Sequence, residues 1–271
     1  MKKQLPLGLV LEGSSSRSSL LHLPGIAQEL GPIKCGAIGL ARRFSNLIQG
    51  GYAVAGYEEL QSAQVVLLRV PDAAVLRIID ELCSSELVLS RLSFVLCETW
   101  LSTDSLERLR ERGASVATLS RLPTVERNWF VLEGDAGASR SVRRVIDRHQ
   151  GRAFEMKTGS KHLLFAAELL STVLPIPLLL AAQTSLRSAG ITGNDIAALV
   201  DQMTSKAVRE VIKGVRIPLD VTPPECSWGL GSQYLAALKE KEPALASFIQ
   251  QEQSASAKLI NEAWKNAIDG D

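Results

Sequence analysis

The stretch Gln64–Cys83, QVVLLRVPDAAVLRIIDELC, decides how the rest of the chain is read. Val65–Val70 is a short run rich in β-branched residues, as expected of a strand buried on both faces. Pro71-Asp72 ends it. From Ala73 the period changes, with Val75, Leu76, Ile78, Ile79, Leu82 and Cys83 at helical spacing and Asp72 placed to cap the first turn. A buried strand, a tight turn and an amphipathic helix make half of a parallel βαβ unit. Ligands of open α/β sheets bind where such strands end, so the Val70-Pro71-Asp72 turn is the first candidate site.

The same alternation extends outward in both directions. Leu7–Glu12 reads as a first strand, followed by the small-residue loop Gly13–Ser19. Ile33–Ile38 is a second strand after Gly31-Pro32, and Leu40–Ile48 a helix ended by Gly50-Gly51. Further strands are expected at Leu92–Cys97, Ser115–Leu119, Trp129–Glu133 and Ala153–Met156, with helices at Asp104–Arg112 and Ala138–His149. Strands separated by helical patterns predict an α/β fold with a doubly wound, mostly parallel sheet. After Lys157-Thr158-Gly159 the alternation stops. Ser160–Ala189 is one long helical pattern with prolines at 175 and 177, and Ile196–Lys213 is an amphipathic helix. A Pro-rich connection, Val215–Pro224, leads to expected helices at Gly231–Glu242, Pro243–Glu252 and Ser254–Ala267. The expected organisation is a sheet domain over residues 1–157 and an all-α domain over residues 158–271.

Composition narrows the function classes. Of the 271 residues 46% are hydrophobic and 22% charged, enough to close a full core. The formal net charge is +1 and no face is obviously basic, so nucleic acid is not expected as a partner. Cys35, Cys83, Cys97 and Cys226 follow no metal spacing, and His22, His149 and His162 have no ligand neighbours, so no metal is expected. Scattered thiols and no signal-peptide pattern lead to the expectation of a reducing cytoplasm. Leu163–Leu186 carries Glu168 as its only charge, close to the ~20 residues that span a bilayer. Its polar interruptions, its two prolines and the missing aromatic belt favour instead a helix buried on all sides, as an interior or dimer core.

Several constellations are candidates for chemistry. Gly13-Ser14-Ser15-Ser16-Arg17-Ser18 stands where a dinucleotide fold keeps its glycine-rich loop, with Gly13, Ser15 and Ser18 at the three glycine positions. Ser14, Ser15 and Arg17 would contact phosphate directly. Against this, Pro24-Gly25 interrupts the helix whose N-terminus should face the phosphates. The alternative is a polar surface loop. Arg42 and Arg43 follow the second strand with no acid nearby, which suits a 2′-phosphate and hence NADP over NAD; otherwise they are an exposed basic helix face. Glu98 in Cys97-Glu98-Thr99 is either a proton-transfer residue or a cap of the Asp104 region. Lys161, beside His162 at the start of the long helix, is a candidate general acid or a solvated side chain. Lys206, Arg209, Lys213 and Arg216 read as a solvated stripe.

Taken together, Val70-Pro71-Asp72, Leu106-Glu107-Arg108-Leu109-Arg110 with Gly113-Ala114, Lys161 with Ala166-Ala167, and Ala189-Gly190-Ile191 carry a resemblance. The chain resembles the Rossmann-like reductases that include pyrroline-5-carboxylate reductase, 3-hydroxyisobutyrate dehydrogenase and 6-phosphogluconate dehydrogenase, and most of all their uncharacterised relatives. The resemblance implies an N-terminal NADP-binding domain and a helical domain that forms a homodimer, with the active site in the cleft between them. Such relatives show a Tyr-His pair where Leu164-Phe165 stand, and a Gly-Pro and Arg-Gly-Asp segment where Val221–Glu225 stands. The expected function is therefore an NADP-dependent oxidoreductase for a small carbonyl or imine. In that reading Gly13, Ser14, Ser15 and Arg17 hold the pyrophosphate, and Arg42 and Arg43 the 2′-phosphate. Val70, Pro71 and Asp72 line the nicotinamide end, with Lys161 as the acid. The alternative is a catalytically silent dimer that serves as a binding or scaffold protein.

Overall fold

The computed structural model describes residues 7–13, 20–124, 128–213, 236 and 238–252. Its strands are β1 (Leu7–Leu11), β2 (Leu30–Cys35), β3 (Tyr52–Val54), β4 (Val65–Arg69), β5 (Ser93–Cys97), β6 (Ser115–Arg121), β7 (Trp129–Gly134) and β8 (Arg152–Glu155). They form one sheet in the order β3-β2-β1-β4-β5-β6-β7-β8. From β3 to β6 every pairing is parallel; β7 runs antiparallel to β6, and β8 parallel to β7. This is the expected doubly wound, mostly parallel sheet.

Alternation along the central strands explains how both faces are closed. Leu9, Val65, Leu67, Val95 and Ala117 pack into one cluster with α1 (Ile38–Ile48) and α4 (Ala136–Arg148). Val10, Val66, Leu68, Phe94 and Leu96 pack into the other with α2 (Val75–Ser84) and α3 (Glu107–Glu111). Side chains successive along a strand point to opposite faces, so one apolar run feeds both layers.

Three local differences from the sequence reading have physical causes. The second strand begins at Leu30 and includes Pro32, because its register against β1 shifts between Leu7 and Leu9, where a residue without an N–H is tolerated. Ile38, expected to end that strand, opens α1 instead. Between β1 and β2 the described residues hold only two short 3₁₀ turns, Leu20–His22 and Ile26–Glu29, and Gly25 between them lies at φ 76°. Pro24-Gly25 thus prevents a continuous helix.

The chain divides into two compact units, Met1–Val173 and Leu174–Asp271. The first holds the sheet together with α5 (Lys161–Glu168) and a π-helical turn, Leu169–Val173. The second begins with α6 (Pro175–Ser188), followed by α7 (Asp195–Ile212), and residues 243–252 are helical. The π turn immediately precedes the two prolines, which remove amide donors from the helical ladder. There Ser171 and Thr172 donate side-chain hydrogen bonds back to Ala167 and Glu168 carbonyls at 2.6 Å each. The expectation of an interior helix is corrected: Leu163, Leu170, Leu174 and Leu180 are 60%, 59%, 55% and 56% exposed. The helical run Lys161–Ser188 is long and apolar enough to cross a membrane by length and composition. The expected helix Ser254–Ala267, the connection Val215–Pro224 and most of Gly231–Glu242 lie outside the described residues.

Candidate functional site

The sheet order makes β1 and β4 neighbours while their connections leave in opposite directions, which opens a crevice at the carboxyl ends of these two strands. Glu12, just past β1, donates its backbone N–H to the Arg69 carbonyl at the end of β4, 3.1 Å away. Gly13 follows with φ 81°, a conformation in which a side chain is strained. A Cβ placed there would stand 3.3 Å from Pro71 Cγ. The glycine turn and the Val-Pro-Asp turn therefore meet at the crevice. Val70 is buried beneath them and Pro71 is exposed.

Asp72 does not cap the helix that follows it. Its carboxylate crosses to the end of β5, where Oδ1 accepts from Thr99 Oγ1 at 2.5 Å and Oδ2 from the Trp100 backbone N–H at 3.2 Å. Thr99 Oγ1 also accepts from the Leu101 N–H at 3.0 Å, which folds the chain sharply after β5. Glu98, at φ 56°, starts that turn with its N–H bonded to the Leu119 carbonyl. The cap ahead of α3 comes from Ser102, whose side chain accepts the Asp104 N–H, and not from Glu98.

Lys161 enters the same place from α5. It is 4% exposed, and its Nζ donates to the Leu101 carbonyl at 2.6 Å. Among the described residues no other acceptor takes its two remaining N–H groups. Burial holds its ammonium below the usual lysine range, at about 8, while the charges of Glu133 and then Asp72 oppose that shift. Glu133, in β7, is itself 1% exposed and accepts from the Gly159 N–H at 2.9 Å and from Thr103 Oγ1 at 3.3 Å. Cys97 is fully enclosed beside them, and burial pushes its thiol up, away from the reactive thiolate.

The structure thus brings Gly13, Val70, Pro71, Asp72 and Lys161 to the carboxyl end of the sheet. Arg42 and Arg43 lie on the exposed side of α1, one turn in from its start, where the buried Ala41 and Phe44 face the core. Ser14, Ser15 and Arg17 lie outside the described residues. Sequence reasoning missed Thr99, Glu133 and the Trp100–Phe165 ring pair. Glu133 alone left a signal, as an acid at the end of the apolar run Trp129–Leu132.

At the strand ends one feature fits a dinucleotide: Gly13, where a Cβ would meet Pro71 and close the approach to the strand ends. At the phosphate end the fit is poorer, since no α-helix is described between β1 and β2.

No family model matches the sequence. No curated protein matches it either. Solved structures do match. Protein TM1727 from Thermotoga maritima superposes with a TM-score of 0.58 at 19% identity, covering 94% of this chain and 99% of that one. A pyrroline-5-carboxylate reductase from Coxiella burnetii gives 0.59 at 12% identity, covering 92% and 98%. An imine reductase from Myxococcus stipitatus, in complex with NADP+, gives 0.61 at 16% identity, covering 96% and 94%. The chain has the Rossmann-like fold of the pyrroline-5-carboxylate and imine reductases, an eight-stranded, mostly parallel sheet followed by a helical C-terminal region.

Proposed function

We propose that this chain is a nicotinamide-dependent oxidoreductase that prefers NADP to NAD and reduces a small carbonyl or imine compound. The observation that carries the reading is Lys161: a buried ammonium at the carboxyl end of the sheet, two of whose N–H groups meet no acceptor among the described residues. The likeness to a reductase solved with NADP+ supports it. When bound, the reduced cofactor supplies a hydride to the carbon of the C=O or C=N bond, whose π electrons move to oxygen or nitrogen. Lys161 Nζ donates a hydrogen bond to that atom and then its proton. Gly13, Ser14, Ser15 and Arg17 hold the pyrophosphate, and Val70, Pro71 and Asp72 line the nicotinamide end. Asp72 acts through Thr99 and the Trp100 N–H, which it ties into one rigid turn.

In this reading Arg42 and Arg43 hold the 2′-phosphate. Helical side chains lean toward the N-terminus of their helix, which for α1 is the end of β2. The test is a fluorescence titration with NADPH and NADH. Arg42→Ala should weaken NADPH about tenfold, the worth of one charge-assisted contact, and leave NADH unchanged. Equal loss of both would remove that role, and no binding of either nucleotide to the unaltered chain would overturn the reading.

One observation favours a second reading, a catalytically silent binding or scaffold protein: the two short 3₁₀ turns where a phosphate-facing helix would stand. Micromolar NADPH binding would sink it. In either reading the protein works as a homodimer joined through its helical second half, whose exposed leucines call for a partner.

A further inference from the structure

Trp100 and Phe165 form a ring pair with centroids 3.8 Å apart and planes inclined by 44°. Trp100 is 67% exposed, although an indole is among the largest apolar groups a core can bury. Its position is fixed on both sides. Its own N–H is bonded to Asp72 Oδ2, and the next carbonyl, that of Leu101, accepts from Lys161. Phe165 follows Lys161 by four residues in α5, hence on the same side of the helix. The hydrogen bonds that place the candidate acid therefore also place an exposed aromatic surface beside it. The carboxylates of Glu133 and Asp72 are the nearest opposing charges acting on the Lys161 ammonium, and Asp72 is also bonded to the Trp100 N–H. Among the described residues two N–H groups of the buried ammonium meet no acceptor, which leaves them for a ligand atom.

We infer that the Trp100–Phe165 pair is the wall against which the substrate lies, and that the site takes a neutral or cationic carbonyl or imine compound bearing a planar ring, not one bearing a carboxylate. The inference rests on the reading that Lys161 faces the substrate's polar atom. A planar ring stacks on the open indole face, and a positive charge on the ligand adds attraction to the ring quadrupole. A ligand carboxylate lying on that wall would meet the Asp72 carboxylate, which is bonded to the Trp100 N–H, and the like charges would repel.

The test is calorimetry on the full chain, with and without NADPH, using acetophenone as the probe. Its carboxylated twin, para-acetylbenzoate, and the ringless butanone serve as comparisons. Acetophenone should bind about tenfold more tightly than either. Trp100→Ala should abolish that preference, Trp100→Phe should restore most of it, and Phe165→Leu should weaken acetophenone several-fold. If Trp100→Ala fails to fold, the three-probe comparison on the unaltered chain and on Trp100→Phe still decides. Four results would overturn the inference, three of them in binding. They are equal or tighter binding of para-acetylbenzoate, no acetophenone binding, or a Trp100→Ala chain that keeps its acetophenone affinity. A Trp100→Ala chain that sediments as a monomer where the unaltered chain is a dimer would also overturn it, making the rings a subunit contact. Acetophenone binding with no nucleotide binding would support the wall and overturn only the oxidoreductase reading.

Discussion

Lys161 is a side chain whose environment sets its chemistry. Burial lowers its ammonium to about 8, from an ordinary value of 10.5, and Glu133 and Asp72 keep it from falling further. Below pH 8 it is mostly protonated and able to act as an acid. Reduction should therefore be fastest below pH 8 and decline as pH rises through that value, while the reverse oxidation, which needs the free amine, should rise over the same interval. Lys161→Met should lower reduction by about 10²–10⁴-fold, abolish the break near pH 8, and leave nucleotide affinity within about twofold. An unchanged rate would remove Lys161 from the chemistry. Stability follows the same titration. Between pH 8 and 10.5 the unfolded chain binds more protons at this lysine than the folded one, so folding stability contributed by this group rises with pH across that window. Urea unfolding at pH 7 and pH 10 should show that rise in the unaltered chain, and a smaller one in Lys161→Met. The sequence marked Lys161 and Asp72 as candidates but not what they touch. Asp72 reads as a helix cap because only its neighbours along the chain are visible there. Its observed partners, Thr99 and the Trp100 N–H, lie just past a different strand, β5, and come within reach only when β4 and β5 pair.

Secondary-structure elements were legible in proportion to how much of their patterning is local. The buried runs of β1, β4, β5 and β6 announce themselves because each carries apolar residues to both faces of the sheet. The strand Tyr52–Val54 does not: it is three residues long, at the sheet edge, and begins with a half-exposed tyrosine. The helix of α5, the π turn and α6 was legible as a helix, but its surroundings were not, because a run with so few charges reads the same whether neighbours from its own chain or a second copy cover it. In the described chain its leucines stand exposed, and the proposed homodimer would cover them. Sedimentation at micromolar concentration should show a homodimer. Leu180, 56% exposed in α6, is a point at which to break it. Burial of one leucine is worth ~1.5–3 kcal/mol, so Leu180→Glu should weaken the dimer by roughly tenfold to a hundredfold and shift the population toward monomer. A monomeric unaltered chain would refute the dimer. Recovery of the protein only with detergent would reassign the helix to a membrane, for which Lys161–Ser188 has the length and composition.

At the scale of the molecule, alternating strands and helices give the fold class, but not the order in which strands pair. In the observed order β1 to β2 to β3 builds outward on one side, and β4 to β5 to β6 on the other. The candidate site is a product of the reversal, where β1 and β4 are neighbours and Gly13, just past β1, stands against Pro71, just past β4. Gly13 and Pro71, 58 positions apart in the chain by their numbers, come within contact distance for this reason alone. A ligand in that crevice touches both halves of the sheet and should stabilise the first unit as a whole. NADPH at about a hundred times its dissociation constant adds ~2.7 kcal/mol, a rise of roughly 5–10 °C in melting temperature for a chain of this size. Gly13→Val provides the control. Its Cβ would be held at φ 81° against Pro71, costing on the order of 1–2 kcal/mol, and its branched side chain would fill the space the pyrophosphate needs. The variant should melt a few degrees lower without nucleotide and show no rise with it. A rise of equal size in both chains would place nucleotide binding away from the β1–β4 crevice. No rise in either would leave the crevice without a dinucleotide, as the two 3₁₀ turns after β1 would then explain.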